Sequence, residues 1–159
     1  MRKRRHLHQG TPSDMLIGAL LKASALSSAI GSTFALAAFA IARLFDDPLL
    51  VRPEFGSGEA EELQAIVVVL ATLAIGGLGG FGLAFLSSRF SPTAPRRTFL
   101  TLCLVGLGIY GVLAFVRTDQ ASTAVWLNVM HLVAAAPIVG MLARQLDPDT
   151  KRQSLSIGI

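Results

Sequence analysis

Asn128 and His131 stand one helical turn apart in AVWLNVMHLVAAAPIVGMLA, a stretch of 20 residues without a charge. An imidazole in such surroundings can relay a proton, ligate a haem iron or hydrogen-bond a quinone, and an ionisable group inside a membrane span is a functional candidate by default. Each of these chemistries needs a second part. A relay needs another titratable group in a span interior, and the uncharged runs hold no Asp, Glu or second His. Axial ligation of haem from both sides needs a second His or a Met, and Met130 points away from His131 on the same helix. The remaining reading is structural: a neutral imidazole with one ring nitrogen donating and the other accepting, satisfied by two neighbours. Asn128 shares its face, Tyr110 in the preceding run lies at about the same depth, and serines of the first run could reach it. The candidate intramembrane polar cluster is therefore His131, Asn128, Tyr110, Ser28 and Ser32. No residue pattern specifies a catalytic centre, a cofactor or a metal.

These residues are positioned by a very apolar chain. Of 159 residues, 52% are hydrophobic and only 15% charged, and the mean hydropathy is +0.59, well above the range of an ordinary soluble domain of this size. A hydrocarbon core is about 30 Å thick and a helix rises about 1.5 Å per residue, so roughly 20 uncharged residues make one crossing. Four runs qualify, at about 23–42, 63–86, 98–116 and 122–143. They predict an all-α protein, an antiparallel bundle of four transmembrane helices over 23–143. A basic segment with a helix start precedes it over 1–22, and a short tail follows over 144–159. The connections are too short to hold a soluble domain.

The basic head RKRRHLH followed by MLIGALL has the outline of a signal peptide, but Lys22 cuts the apolar stretch short and a longer uncharged run follows, as in a retained span. Thr11, Pro12 and Asp14 read as a helix start, with Lys22 reaching back to the headgroup level.

Charge placement gives the expected orientation, because Lys and Arg stay on the cytoplasmic side. The N-terminal segment, the loop SSRFSPTAPRR and the tail share eleven of the fourteen basic residues. Arg43, Arg52 and Arg117 face the other side with seven of the ten acids. Both termini are thus expected in the cytoplasm. The net charge of +4 serves topology and anionic lipid headgroups, not nucleic acid, since no aromatic residues alternate with the basic ones as a base-stacking surface requires.

The single cysteine, Cys103, excludes the dithiol chemistry of membrane thiol oxidoreductases, which needs a pair. In the first run, Ser24, Ser27, Ser28, Gly31, Ser32 and Ala35 recur at spacings of three and four. Such a stripe lets helices approach closely in lipid, and its alternative use is a hydroxyl-lined path for water or an ion. The glycines of GGLGGFG are expected to press against those of the third run, Gly76 and Gly80 meeting Gly108 and Gly111; the alternative is a hinge or a broken helix exposing carbonyls. Pro137 is expected to free a carbonyl near position 133. In the connection after the first run, Glu59, Glu61 and Glu62 are expected in the first turn of the second helix, where the macrodipole favours anions. Asp46, Asp47 and Glu54 complete an acidic set without the spacing of a calcium loop.

The acidic, proline-containing outer loop, the run VVVLATLAIGGLGGFGLAFL, the short Arg/Pro inner loop and the closing HLVAAAPIVGMLAR together resemble an uncharacterised family. It comprises small four-span membrane proteins of high-GC Gram-positive bacteria, known as a domain of unknown function. The resemblance covers about 23–145 and implies an integral protein of a bacterial inner membrane without implying any catalytic residue. The expected role is that of a non-catalytic interaction or accessory subunit, without cofactor, partnered by the bilayer and by another membrane protein or a second copy. A small oligomeric transporter or channel using the serine stripe and His131, and a redox subunit touching haem or quinone through His131 and Tyr110, are the alternatives.

Overall fold

The computed structural model of the chain describes residues 12–45, 48–52 and 59–147. The expected cap Thr11, the basic residues at 2–5, the carboxylates Asp46, Asp47 and Glu54, and the tail residues Lys151 and Arg152 lie outside the described residues.

Four helices dominate: α1 (Pro12–Phe45), α2 (Ala65–Phe90), α3 (Pro95–Val116) and α4 (Ala121–Gln145), each long and apolar enough to cross a membrane. Hydrocarbon offers backbone amides no partner, so long uncharged stretches must satisfy them internally, and the helix does so. The helices extend past the uncharged runs because the ends lie where water and headgroups accept charge. α1 spans 34 residues, about 51 Å at the standard rise, and Lys22 is exposed along it. Pro95 opens α3 at a position where no amide hydrogen is required.

Packing is built on α1. Its small residues Ala23, Ser24, Ser27, Ser28, Gly31, Ser32, Ala35, Ala38 and Ala42 are all buried, and they form the stripe on which α4 makes the most extensive helix contact in the molecule. At one end, near the connection between α2 and α3, Leu20, Ala84, Phe99, Ile138 and Leu142 form an apolar cluster. At the other, Ala35, Ala38, Ala42, Leu49, Leu63 and Met130 form a second. α2 rests on α1 along its length. α3 packs against α4, and its principal packing on α2 is confined to the inner part of α2, Gly80–Phe90. Spans two and three are therefore joined near their connection and part farther along.

The long connection departs from the expectation for its glutamates. Glu61 and Glu62 are not in the first helical turn, since α2 begins only at Ala65 and has no acid there. They form a two-residue strand, β2 (Glu61–Glu62), antiparallel to β1 (Leu50–Val51), with Leu50 opposite Glu62. Burial explains the difference: Leu49 and Leu63 are pulled under the pair, where the Leu63 amide donates to the Leu49 carbonyl at 2.8 Å. The carboxylate of Glu62 then turns to the Arg43 guanidinium. A second clasp ties the connection to the far end of the bundle. The Arg52 amide donates to the Arg117 carbonyl at 2.8 Å, Arg117 Nε donates back to the Arg52 carbonyl at 3.3 Å, and Arg52 pairs with Asp119 at 2.6 Å.

Candidate functional site

The polar residues singled out from sequence fall into two separate groups. The first lies on the buried side of α1. Ser24 Oγ donates to the Gly77 carbonyl of α2 at 2.7 Å, and Ser27 and Ser28 donate back to the Ser24 carbonyl at 3.1 and 2.6 Å. Three of the four hydroxyls are thus engaged with carbonyls, and the buried Ser32 hydroxyl has no hydrogen-bond partner. A hydroxyl that bonds a facing backbone brings two helices to contact distance. The glycine opposite has no room for a side chain, because a Cβ on Gly77 would stand 2.6 Å from Ser28 Oγ.

The carbonyl of Gly77 is reached within an unusual stretch. Over Thr72–Gly79 the helix is widened to π geometry and then returns to α geometry at Gly80. Glycine is a weak helix former, so a run of them yields to such widening more readily than leucine would. The helix is widened here and unbroken, a middle case between the regular helix and the hinge considered from sequence.

The expected glycine-to-glycine contact between spans two and three is not formed. A Cβ on Gly108 would have nothing within 4 Å, whereas one on Gly76 would come within 2.6 Å of Ile138 Cδ1, and one on Gly80 would meet Ile138 and Leu142 of α4. The glycines of α2 make room for large side chains of α4, because the two spans part where Gly76 and Gly108 would have met. Gly111 serves a different neighbour: its carbonyl accepts from Asn128 Nδ2 at 3.3 Å, and a Cβ there would stand 3.1 Å from Asn128 Oδ1.

His131, Tyr110 and Asn128 form the second group, on α3 and α4, without Ser28 or Ser32. The rings of Tyr110 and His131 lie 5.6 Å apart at an angle of 36°. Asn128 is not available to the imidazole, since its amide nitrogen is shared between the carbonyls of Gly111 and, one turn back, Ala124 at 3.0 Å. The imidazole lies against the Leu127 carbonyl one turn back on its own helix. Among the described residues no side chain offers the second ring nitrogen a partner, and none accepts from the Tyr110 hydroxyl. Both residues are exposed rather than interior, Tyr110 at 37%. The expectation of a histidine satisfied on both nitrogens between helices is corrected accordingly: the bundle turns His131 to an open edge. The reason lies in the packing, which pushes Met130, Ala134 and Ile138 toward α1 and α2 and leaves His131 between α2 and α3 where these diverge.

Sequence reading missed the Arg52–Arg117–Asp119 clasp, whose partners are 65 to 67 residues apart and share no motif. Among the described residues, no group of three or more His, Cys, Asp or Glu side chains is placed to hold a metal ion. Elsewhere, Phe34, Ala38, Ile41, Trp126, Val129 and Pro137 line an apolar groove of about 450 Å³ between α1 and α4.

No curated protein and no solved structure matches the chain. A family model does, over residues 17–148, a stretch that takes in all four helices and the Tyr110–His131 edge. The chain is an integral membrane protein with four spanning helices, and it belongs to the family of unknown function DUF6069.

Proposed function

We propose that this protein is a non-catalytic interaction subunit that meets its partner inside the membrane, along the edge where Tyr110 and His131 are exposed. One observation carries the reading: a phenol and an imidazole lie in contact between two spanning helices, within the uncharged stretch of each, both open to the outside of the bundle, and neither is satisfied by a side chain of the chain itself. Hydrocarbon has no hydrogen-bonding groups, so each polar atom left there carries a desolvation cost that a partner at the edge would remove. The spanning helices have surface to spare for such a partner, since only 11% of the most apolar stretch of α3 is buried within the bundle, against 39% of that of α1.

The orientation proposed with it places both chain ends in the cytoplasm of a bacterial inner membrane. Eleven of the fourteen basic residues belong in sequence to the N-terminal segment, the stretch joining α2 to α3 and the C-terminal tail, which supports it. The alternative of a solute path along the serine stripe draws no support from hydroxyls that are spent on the carbonyls of Ser24 and Gly77.

The test is a photo-reactive leucine analogue at position 113, one turn from Tyr110 on α3, in the full chain, irradiated in the membranes of the cell that makes it. A discrete protein adduct is expected at this position and not at Val112, on the far side of the same helix. Adducts with lipid alone would overturn the reading.

A further inference from the structure

The open edge has a shape and a polarity that narrow the choice of partner. Asn128 bonds the Gly111 carbonyl and so fixes the register of α3 against α4, which puts Tyr110 and His131 at one depth. His131 shares a face of α4 with Ile138, two turns on, and Ile138 fills the space beside Gly76 and Gly80 of α2. The imidazole therefore looks into a groove with α2 on one side and Tyr110 of α3 on the other. One turn from Tyr110 on the same face of α3, Gly106 leaves that wall open, with nothing within 4 Å of where its Cβ would stand. A groove between two parted helices is the seat that a third helix takes in ordinary helix packing.

The polarity is self-complementary. A neutral imidazole presents a lone pair on one ring nitrogen, and the Tyr110 hydroxyl beside it presents a proton. Two copies inserted in one membrane with the same orientation are related by a twofold axis along the membrane normal. Such an axis preserves depth and exchanges left for right, so a donor and an acceptor lying side by side at one depth meet their counterparts twice.

We propose that the partner at this edge is a second copy of the chain. Each α3 seats itself in the groove between α2 and α3 of the other, and each Tyr110 hydroxyl donates to the free ring nitrogen of the partner's His131. This inference rests on the interaction reading above and names its partner. The third span suits the role because it is the least buried of the four, and because Gly106 removes the side chain where the two copies of α3 would come closest.

The experiment is energy transfer between donor- and acceptor-labelled full-length chains in phosphatidylglycerol/phosphatidylethanolamine vesicles, titrated over the protein-to-lipid ratio. Interhelical hydrogen bonds in membranes contribute about threefold each on average, so Tyr110→Phe, which removes two by symmetry, is expected to weaken association about tenfold. His131→Phe is expected to do the same, and the double variant no more than either alone. Gly106→Leu should abolish transfer, while Gly108→Leu, on an open face of α3 away from the groove, should leave it unchanged. Helicity by circular dichroism checks that each variant folds. A wild-type chain that shows no transfer at any ratio, or association that survives both Tyr110→Phe and Gly106→Leu, overturns the inference. Should the cross-linker at position 113 capture a different protein while wild-type vesicles show no transfer, the second copy is excluded and the interaction reading stands. Lipid adducts alone sink both.

Discussion

The seam between α1 and its neighbours and the edge between α3 and α4 use the same kinds of side chain to opposite ends. In the seam, small residues bring backbones together and three of four serine hydroxyls end on carbonyls, so the contact is made within one chain with only the Ser32 hydroxyl left over among them. At the edge, Tyr110 and His131 bring more hydrogen-bonding capacity into the spanning segments and leave much of it unused. In lipid, where apolar side chains gain little by meeting each other, close approach and polar pairing decide which surfaces associate. The seam has already exploited both within the monomer. The edge has groups for both and lacks the facing helix.

The comparison can be broken most forcefully in the seam. A Cβ on Gly31 would stand 2.7 Å from the Ala134 carbonyl, a backbone atom that cannot swing aside. Gly31→Val is expected to destabilise the bundle by about 3 kcal/mol, at the upper end of overpacking costs, read as a lower midpoint in denaturant-induced unfolding of the purified protein in detergent. Removing a hydroxyl costs less. Ser24→Ala deprives the Gly77 carbonyl of its donor and is expected to cost about 1 kcal/mol in the same measurement. At the edge the sign of the contrast appears: His131→Leu, measured where the chain is monomeric, should change stability by less than about 0.5 kcal/mol, because the imidazole's one contact across helices is the half-open one with the Tyr110 ring, which a leucine can also cover. Asn128→Leu, one turn away, should cost about 1 kcal/mol, since it unties the Gly111 carbonyl. The smallest effect belongs to the surface. Asp147→Asn breaks an ion pair with Arg96 that is half open to water, 3.0 Å long, and should shift stability by no more than about 0.5 kcal/mol.

What could be read from the residues alone follows from how each feature is encoded. The four spans were legible because a crossing is a matter of length and charge, both local; Lys22, Arg43, Arg89 and Arg117 mark where the runs stop. The stripe on α1 was legible because its period is that of the helix. The direction in which each helix turns its faces is not local. Gly76 and Gly108 are correctly placed as antiparallel neighbours in depth, yet α3 leaves α2 before they meet, and nothing near either glycine announces it. His131 went astray for the same reason: its exposure depends on how far α2 and α3 part, which is settled by α4 packing on α1 through Gly31, Ala134 and Ile138. Glu61 and Glu62 fit a helix start by type, and the burial of Leu49 and Leu63, set by two segments meeting across the connection, overrode that preference.

The outward placement of His131 is the point on which both proposals turn, and site-directed spin labelling tests it directly. Labels at position 131, at Ile109 on the exposed side of α3 and at Ala134 in the seam, each in a Cys103→Ser background, would be compared in nanodiscs holding one chain each. The structure predicts that relaxation by dissolved oxygen at 131 matches that at 109 and exceeds that at 134. Relaxation at 131 as weak as at 134 would put the histidine inside the bundle and contradict the open edge.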